Sequence, residues 1–344
     1  MRVLAYADLQ ATIGHERSFT QPTKSLQLWR MERFFDEVKR IYDQFECHAL
    51  WDLGDTTDDR VAIPVPVLDL LCDRLEHFTG KWNIKLVGNH EQYLRDTTVN
   101  AGKAFRKHFQ VVETVDVFEY GKFNILCASY HDDFQVITDF LRNAPQHRSI
   151  LLGHFPVVGC QMSTGTSLTG VPRNMLSFVK LGLLGHVHLP QQIDDLHYIG
   201  SPFQQHWGEA GEHKRVAVLD ISEQGIFKLG WQLIQGMPLY RQVNFEEWQR
   251  LVKPDSEDRY KVVLTSLEET EAFYAHPLAN RVDEPIHDYA QTVKTQSTNG
   301  GSISNSKEDL MKRYMAENPP GERHIEMDDA TMLAFGEEIS QPSQ

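Results

Sequence analysis

Five short segments place oxygen or imidazole donors beside a glycine or at the end of an apolar run. They are Asp8-Leu9-Gln10, Gly54-Asp55-Thr56-Thr57-Asp58, Gly88-Asn89-His90-Glu91, Gly153-His154 and Gly185-His186-Val187-His188. Two metal ions held a few ångströms apart can activate a water and neutralise phosphate oxygens together, and they need one bridging carboxylate with a mixed set of oxygen and imidazole ligands on each side. Asp55 is the candidate bridge. Asp8 and His188 would hold the first ion with Gln10 as a weak further ligand, while Asn89, His154 and His186 would hold the second. His186 and His188 lie two apart, so on extended chain they share a face and can reach adjacent ions.

His90 follows Asn89 directly and is not expected to bind the same ion, which leaves it to contact a scissile phosphate or protonate a leaving oxygen. Glu91 is expected to orient His90 or to cap the next helix, and Asp58 to orient the same imidazole or start a helix. The remaining histidines read as surface or packing residues, with His131 and His206 the two worth following. Any one of these short segments is common by itself. Their order, each after an apolar run, is what gives them meaning.

The elements that must position the donors are readable around them. Apolar runs at 3–7, 49–53, 84–87, 150–152 and 181–184 have the composition of buried parallel strands, so the donors fall where strands end and loops begin. Open α/β sheets place their sites there. Helical periodicity at 24–44 and 64–78 alternates with these runs, which predicts an α/β layered domain over 1–235. Its second half is strand-rich, with short strands expected at 112–120, 122–129, 197–200, 216–221 and 226–233 and hairpins around Gly121 and Gly225. Residues 236–291, with strands at 240–245 and 260–265 and a helix at 246–252, suit a small α/β cap. The serine-, threonine- and glycine-rich stretch 292–306 reads as a flexible linker, and 307–344 as a helix with Leu310, Met311, Tyr314 and Met315 at helical spacing followed by an acidic tail.

Among 344 residues, 41% are hydrophobic and 10% aromatic, which is ordinary for a folded soluble chain. No apolar run has the length of a membrane span and the start reads as a strand rather than a signal peptide, so a cytoplasmic protein is expected. The four cysteines are scattered, which argues for packed thiols rather than disulfides or a zinc knuckle. A net charge of −14 opposes a stand-alone nucleic-acid binder. Bound divalent ions or a basic partner would weaken that objection, and Arg95, Lys103, Arg106 and Lys107 form one local basic patch.

In this order the five segments resemble the calcineurin-like metallophosphoesterase superfamily. The Tyr198-Ile199-Gly200-Ser201-Pro202 stretch and the capping region are similar to its SbcD-type DNA-repair nucleases, including the phage recombination nuclease subunit. The motifs span Asp8 to Pro202. The resemblance implies a four-layer α/β core with mixed β-sheets, two divalent ions, manganese in preference to magnesium, and a histidine in the position of His90 acting on the phosphate. It further implies a homodimer that acts on DNA and joins an SbcC-type coiled-coil ATPase through the C-terminal segment. One departure stands out: that family's first motif is Asp-x-His, and here Gln10 replaces the imidazole.

Overall fold

The structure, a computed structural model, describes residues 1–93 and 99–288. The expected linker, the C-terminal helix and Arg95 lie outside the described residues. Met1–Tyr289 gather into one compact unit.

The chain opens with β1 (Arg2–Tyr6), α1 (Leu26–Gln44), β2 (Ala49–Asp52), α2 (Val65–Leu75), β3 (Ile84–Leu86) and β4 (Gln110–Val112). It continues with β5 (Val115–Tyr120), β6 (Phe123–Ala128), α3 (Phe134–Asn143), β7 (Ser149–His154), β8 (Leu181–Gly185), β9 (Gln191–Ile193) and β10 (Leu196–Tyr198). Then come β11 (Arg215–Ile221), β12 (Phe227–Leu233), β13 (Tyr240–Asn244), α4 (Phe245–Leu251), β14 (Arg259–Leu264), α5 (Leu267–Ala275) and β15 (Val282–His287).

Two six-stranded mixed sheets form the core, in the orders β12-β11-β1-β2-β3-β4 and β5-β6-β7-β8-β10-β9. Within the first, β1 to β4 run parallel and β11 pairs antiparallel with β1. Within the second, β6, β7, β8 and β10 run parallel between antiparallel edges. Side-chain alternation builds the layers, since successive strand residues point to opposite faces. Val3, Ala5, Trp51 and Leu86 meet Ile125, Cys127, Ile150 and Leu183 between the sheets. Leu4, Tyr6 and Leu50 face the other way, onto Phe34, Phe35 and Val38 of α1 and Leu71 of α2. Leu126 and Leu151 pack on Ile137 and Leu141 of α3. The result is four layers, helix–sheet–sheet–helix, in which both sheets are covered on both faces. Burying each of these aliphatic side chains contributes about 1.5–3 kcal/mol.

Local chemistry sets the element ends. Ser25 caps α1 by accepting the Leu28 N–H, and Pro64 with Pro66 opens α2 where free N–H groups would be unpaired. The hairpins form around Gly121 and Gly225, both at positive φ. The single strand expected at 112–120 is instead two strands in different sheets: β4 pairs parallel with β3, while β5 pairs antiparallel with β6. Ser129 fastens this crossing, donating its hydroxyl to the Val112 carbonyl at 2.6 Å and its N–H to the Thr114 carbonyl at 2.8 Å.

A third, all-parallel sheet, β13-β14-β15, carries α4 and α5 in its crossovers and buries its own cluster of Val243, Trp248, Tyr260, Val262 and Phe273. It is fastened to the loop that follows the first motif. Glu257 accepts hydrogen bonds from the Ser18 hydroxyl at 2.5 Å and the Phe19 and Thr20 N–H groups at 2.7 Å.

Candidate metal centre

The five donor segments converge at one end of the two sheets, where β1, β2, β3, β7 and β8 finish. His154 is the last residue of β7 itself, and the others follow their strands within a few residues. To turn the donors inward the backbone adopts costly conformations. Asp8, Gln10, Asp55 and His186 have φ of 56°, 46°, 54° and 81°, a region that costs L-residues on the order of 1–3 kcal/mol each. Hydrogen bonds between the loops offset this: Asp8 N–H to Gly54 O at 3.0 Å, Gln10 N–H to Asp55 O at 2.8 Å and Ala11 N–H to Thr56 O at 2.8 Å. Gly88 is required by space, because a Cβ there would run into the Asp55 carboxylate.

Asp8, Asp55 and His154 are buried, and their donor atoms lie within 4.8 Å of one another. His154 Nδ1 donates to the Leu53 carbonyl at 2.7 Å, so in the neutral ring the lone pair is on Nε2. That atom stands 3.3 Å from Asp55 Oδ2 and 3.9 Å from Asp8 Oδ1, buried and without a hydrogen-bond partner. A lone pair facing two carboxylates is repulsive unless a cation sits between them. In the metal-free protein a proton fills the position: burial pushes the imidazole pKa down, but Asp55 and Asp8 outweigh it and raise it to about 9. Burial raises Asp8, whereas for Asp55 the burial penalty is outweighed by His154, which holds it below the usual carboxylate range. A divalent cation fits this donor set better than a proton does, since it carries twice the charge and can accept all three ligands.

Asn89 and His186 extend the same centre. His186 Nδ1 lies 2.8 Å from Asn89 Oδ1, and its ring is 5.4 Å from that of His154. Burial, followed by the neighbouring His154 charge, lowers His186 to about 3, so it is neutral and able to bind a cation. The backbone N–H of His186 donates to both oxygens of Asp8, at 2.9 and 3.1 Å. His188 donates through Nδ1 to Glu209 at 2.8 Å, leaving Nε2 as its donor atom.

His90 takes a different position. Its backbone N–H donates to Asp55 Oδ1 at 2.8 Å, while the ring Nδ1 lies 3.0 Å from both the carbonyl and the carboxylate of Asp58. Asp58 therefore holds the Nδ1 edge of this imidazole. The Asp58 hydrogen bond, against burial and with help from Asp55, raises His90 to about 9. Gln10 sits partly buried at the first motif beside Asp8.

Glu91 departs from expectation. Instead of orienting His90 or capping a helix, its buried carboxylate accepts the N–H groups of Gly88 at 3.0 Å and Asp55 at 3.2 Å and pairs with Lys85 at 2.8 Å. Lys85 also pairs with Asp52 at 3.1 Å, and Tyr6 donates to the same Asp52. All these side chains are buried beneath the centre. The physical reason is the loop's own need: two backbone N–H groups turned away from water require an acceptor, and Glu91 supplies it.

Sequence reasoning missed three contributors. Glu209 and Lys85 stand in stretches with no motif to mark them. Tyr130 forms a wall, its ring 5.4 Å from His186 and 6.4 Å from His154. His206 comes to the centre's edge beside Glu209, at 3.2 Å, whereas His131 accepts the N–H of Asp133, the residue that caps α3 through its own side chain. Among the described residues of the basic patch, Lys103 and Arg106 share Glu113 and Lys107 pairs with Glu76, so two carboxylates offset much of the charge of three cations. All four cysteines are free thiols. Among the described residues no helix is long and apolar enough to cross a membrane.

Fold and centre together define a class: a four-layer α/β protein whose strand ends gather carboxylate, amide and imidazole donors for divalent ions. Comparison of the sequence with family models gives no match, and comparison with curated proteins gives none. Among solved structures, similar ones include a purple acid phosphatase from yellow lupin (Lupinus luteus) seeds, with 13% identity, a TM-score of 0.44, and coverage of 70% of this chain and 52% of that one. The chain thus spans about half the length of that enzyme. Another is a 5'-nucleotidase precursor from Thermus thermophilus, with 12% identity, a TM-score of 0.37, and coverage of 68% and 54%. A third is described as a novel archaeal phosphodiesterase, with 8% identity, a TM-score of 0.35, and coverage of 67% and 100%.

Proposed function

We propose that this chain is a two-metal phosphodiesterase, and that its substrate is DNA. The observation that carries the hydrolase reading is the buried cluster of Asp8, Asp55 and His154, with His154 Nε2 3.3 Å from Asp55 Oδ2 and 3.9 Å from Asp8 Oδ1. Asp8, His188 and Gln10 would hold one ion, Asn89, His154 and His186 the other, with Asp55 between them. A bound pair of manganese or magnesium ions supplies an activated water and neutralises the phosphate oxygens. The residues of the chain do the rest. Asp58 fixes Nδ1–H of His90 so that Nε2 is presented as a proton donor, and the raised pKa keeps that proton available to a phosphate or leaving oxygen. Tyr130 packs against His154 and His186 and keeps their rings from turning.

The DNA assignment is supported by the Tyr198-Ile199-Gly200-Ser201-Pro202 stretch and by the third sheet fastened beside the first motif, which a small-substrate phosphatase does not need. With it go a homodimer in the cytoplasm, a repair or recombination role, and an SbcC-type ATPase engaged through 307–344, which would supply the basic surface this acidic chain lacks. The paired state of Lys103, Arg106 and Lys107 favours a second reading, a phosphomonoesterase or cyclic-nucleotide phosphodiesterase, because it leaves little free positive charge for a DNA backbone.

Assaying the purified chain with manganese on labelled single- and double-stranded DNA, beside a phosphomonoester and a cyclic nucleotide, separates these. Manganese-dependent DNA cleavage is the expected result. Turnover of only the small esters would move the substrate, and metal binding without any turnover would make the chain a scaffold for its ATPase.

A further inference from the structure

Glu209 is fully buried and accepts hydrogen bonds at both oxygens. Oε1 lies 2.8 Å from His188 Nδ1 and 3.2 Å from His206 Nε2. Oε2 is met by Lys214 Nζ at 2.8 Å, the Ser201 hydroxyl at 3.0 Å and the Gln205 N–H at 3.1 Å. The tautomers around it follow from the bonds. His206 Nδ1 accepts the Gly208 N–H at 3.1 Å, so its Nε2 carries the hydrogen, 3.2 Å from Glu209 Oε1. His188 donates through Nδ1, which leaves its lone pair on Nε2. Lys214 also donates to the His188 carbonyl at 3.1 Å, and Gln205 reaches the Asp8 carbonyl at 2.7 Å. The same hub therefore ties the His188 backbone, the His188 ring and the first motif together.

We infer that Glu209 is the positioning residue for the first metal ion, locking His188 as an Nε2 donor and strengthening it. This rests on the metal-hydrolase reading above. The inference has a specific reason in this chain: Gln10 offers an amide, so His188 is the one imidazole assigned to that ion, and its orientation and basicity carry more of the affinity. A carboxylate behind a ligating imidazole fixes tautomer and ring angle and raises ligand basicity, and losing it costs about 10–100-fold in metal affinity or activity. His188, His206 and Glu209 lie close enough to hold an ion themselves. His206 Nδ1 already accepts the Gly208 N–H and His188 Nδ1 donates to Glu209, so in the metal-free protein the cluster acts as a support for His188.

The test pairs two readouts on the full chain. Nitrogen-15 spectra of the metal-free protein report the His188 tautomer, and manganese titration followed by paramagnetic resonance reports each ion's affinity. Glu209→Ala is expected to mix the His188 tautomers and weaken one manganese about 10–100-fold while the other binds as before. Glu209→Gln keeps an acceptor for Nδ1, so it should keep the tautomer and lose less affinity; it serves as the measured variant if the alanine form does not fold. His206→Ala should change neither readout. An unchanged tautomer and titration in Glu209→Ala, or an unchanged titration in Glu209→Gln should the alanine form not fold, would overturn the inference. So would a third manganese that disappears with His206→Ala. A wild-type chain that binds no manganese would remove the hydrolase reading itself, an outcome distinct from either.

Discussion

Asp55 and His90 stand a few ångströms apart and are expected to fail in different ways when altered. Asp55→Asn keeps the volume but removes the carboxylate that faces His154 and takes the His90 N–H. Hydrolysis should fall to background while the protein stays folded, and retained manganese-dependent cleavage would show that another group bridges the ions. His90→Ala removes a positioned proton donor, whose loss typically costs about 100-fold or more, without touching a metal donor. Its manganese titration should match wild type while turnover drops; loss of an ion instead would make His90 a ligand.

At the scale of elements, what matters is how loops that begin at strand ends are held in left-handed backbone. The Lys85 network answers for the Asp55 loop and ties it to the Gly88 loop, since Glu91 accepts the Asp55 and Gly88 N–H groups and Lys85 pairs with Glu91 and Asp52. Lys85→Met would leave two buried carboxylates without a counter-charge, and breaking a buried pair in this way costs about 3–5 kcal/mol. Chemical denaturation should show a loss of that size. Metal affinity should fall as well, because the same change releases the loop that carries Asp55. A stability change below about 1 kcal/mol, the range of exposed ion pairs, would show that the network is dispensable.

Over the whole molecule, protons and metal compete for one centre. His90 and His154 are both raised to about 9 from an ordinary value of 6.5. Because the folded values lie above the unfolded ones, their contribution to metal-free stability is complete below pH 6.5 and is lost as pH rises through about 9. The metal-free melting temperature should therefore decline across that window. Manganese binding should run the opposite way, strengthening up to about pH 9 as His154 sheds its proton and levelling above it. Calorimetric titrations in buffers of different ionisation heat would count the released protons; an affinity independent of pH would contradict the placement of His154 beside the ion.

The sequence by itself determined the donor segments, their order and the strands that end in them, because apolar runs and adjacent glycines are local signals. For Asp58 it offered either a partner for His90 or a helix start, and the fold brings its carboxylate 3.0 Å from that ring. Element ends shifted by a few residues, and the run at 112–120 concealed a crossing between sheets, because a strand-like alternation of apolar and polar residues does not record which sheet its partner strand belongs to. The tertiary structure alone decided that Glu91 serves Asp55 and Gly88 rather than His90. It likewise brought in Glu209 behind His188, Tyr130 against His154 and His186, and Lys85 beneath Asp52. Each of those contacts joins residues from separate loops or strands, and burial is what turned them from isolated polar side chains into obligatory partners: a charge or N–H removed from water must find its complement wherever the chain folds back.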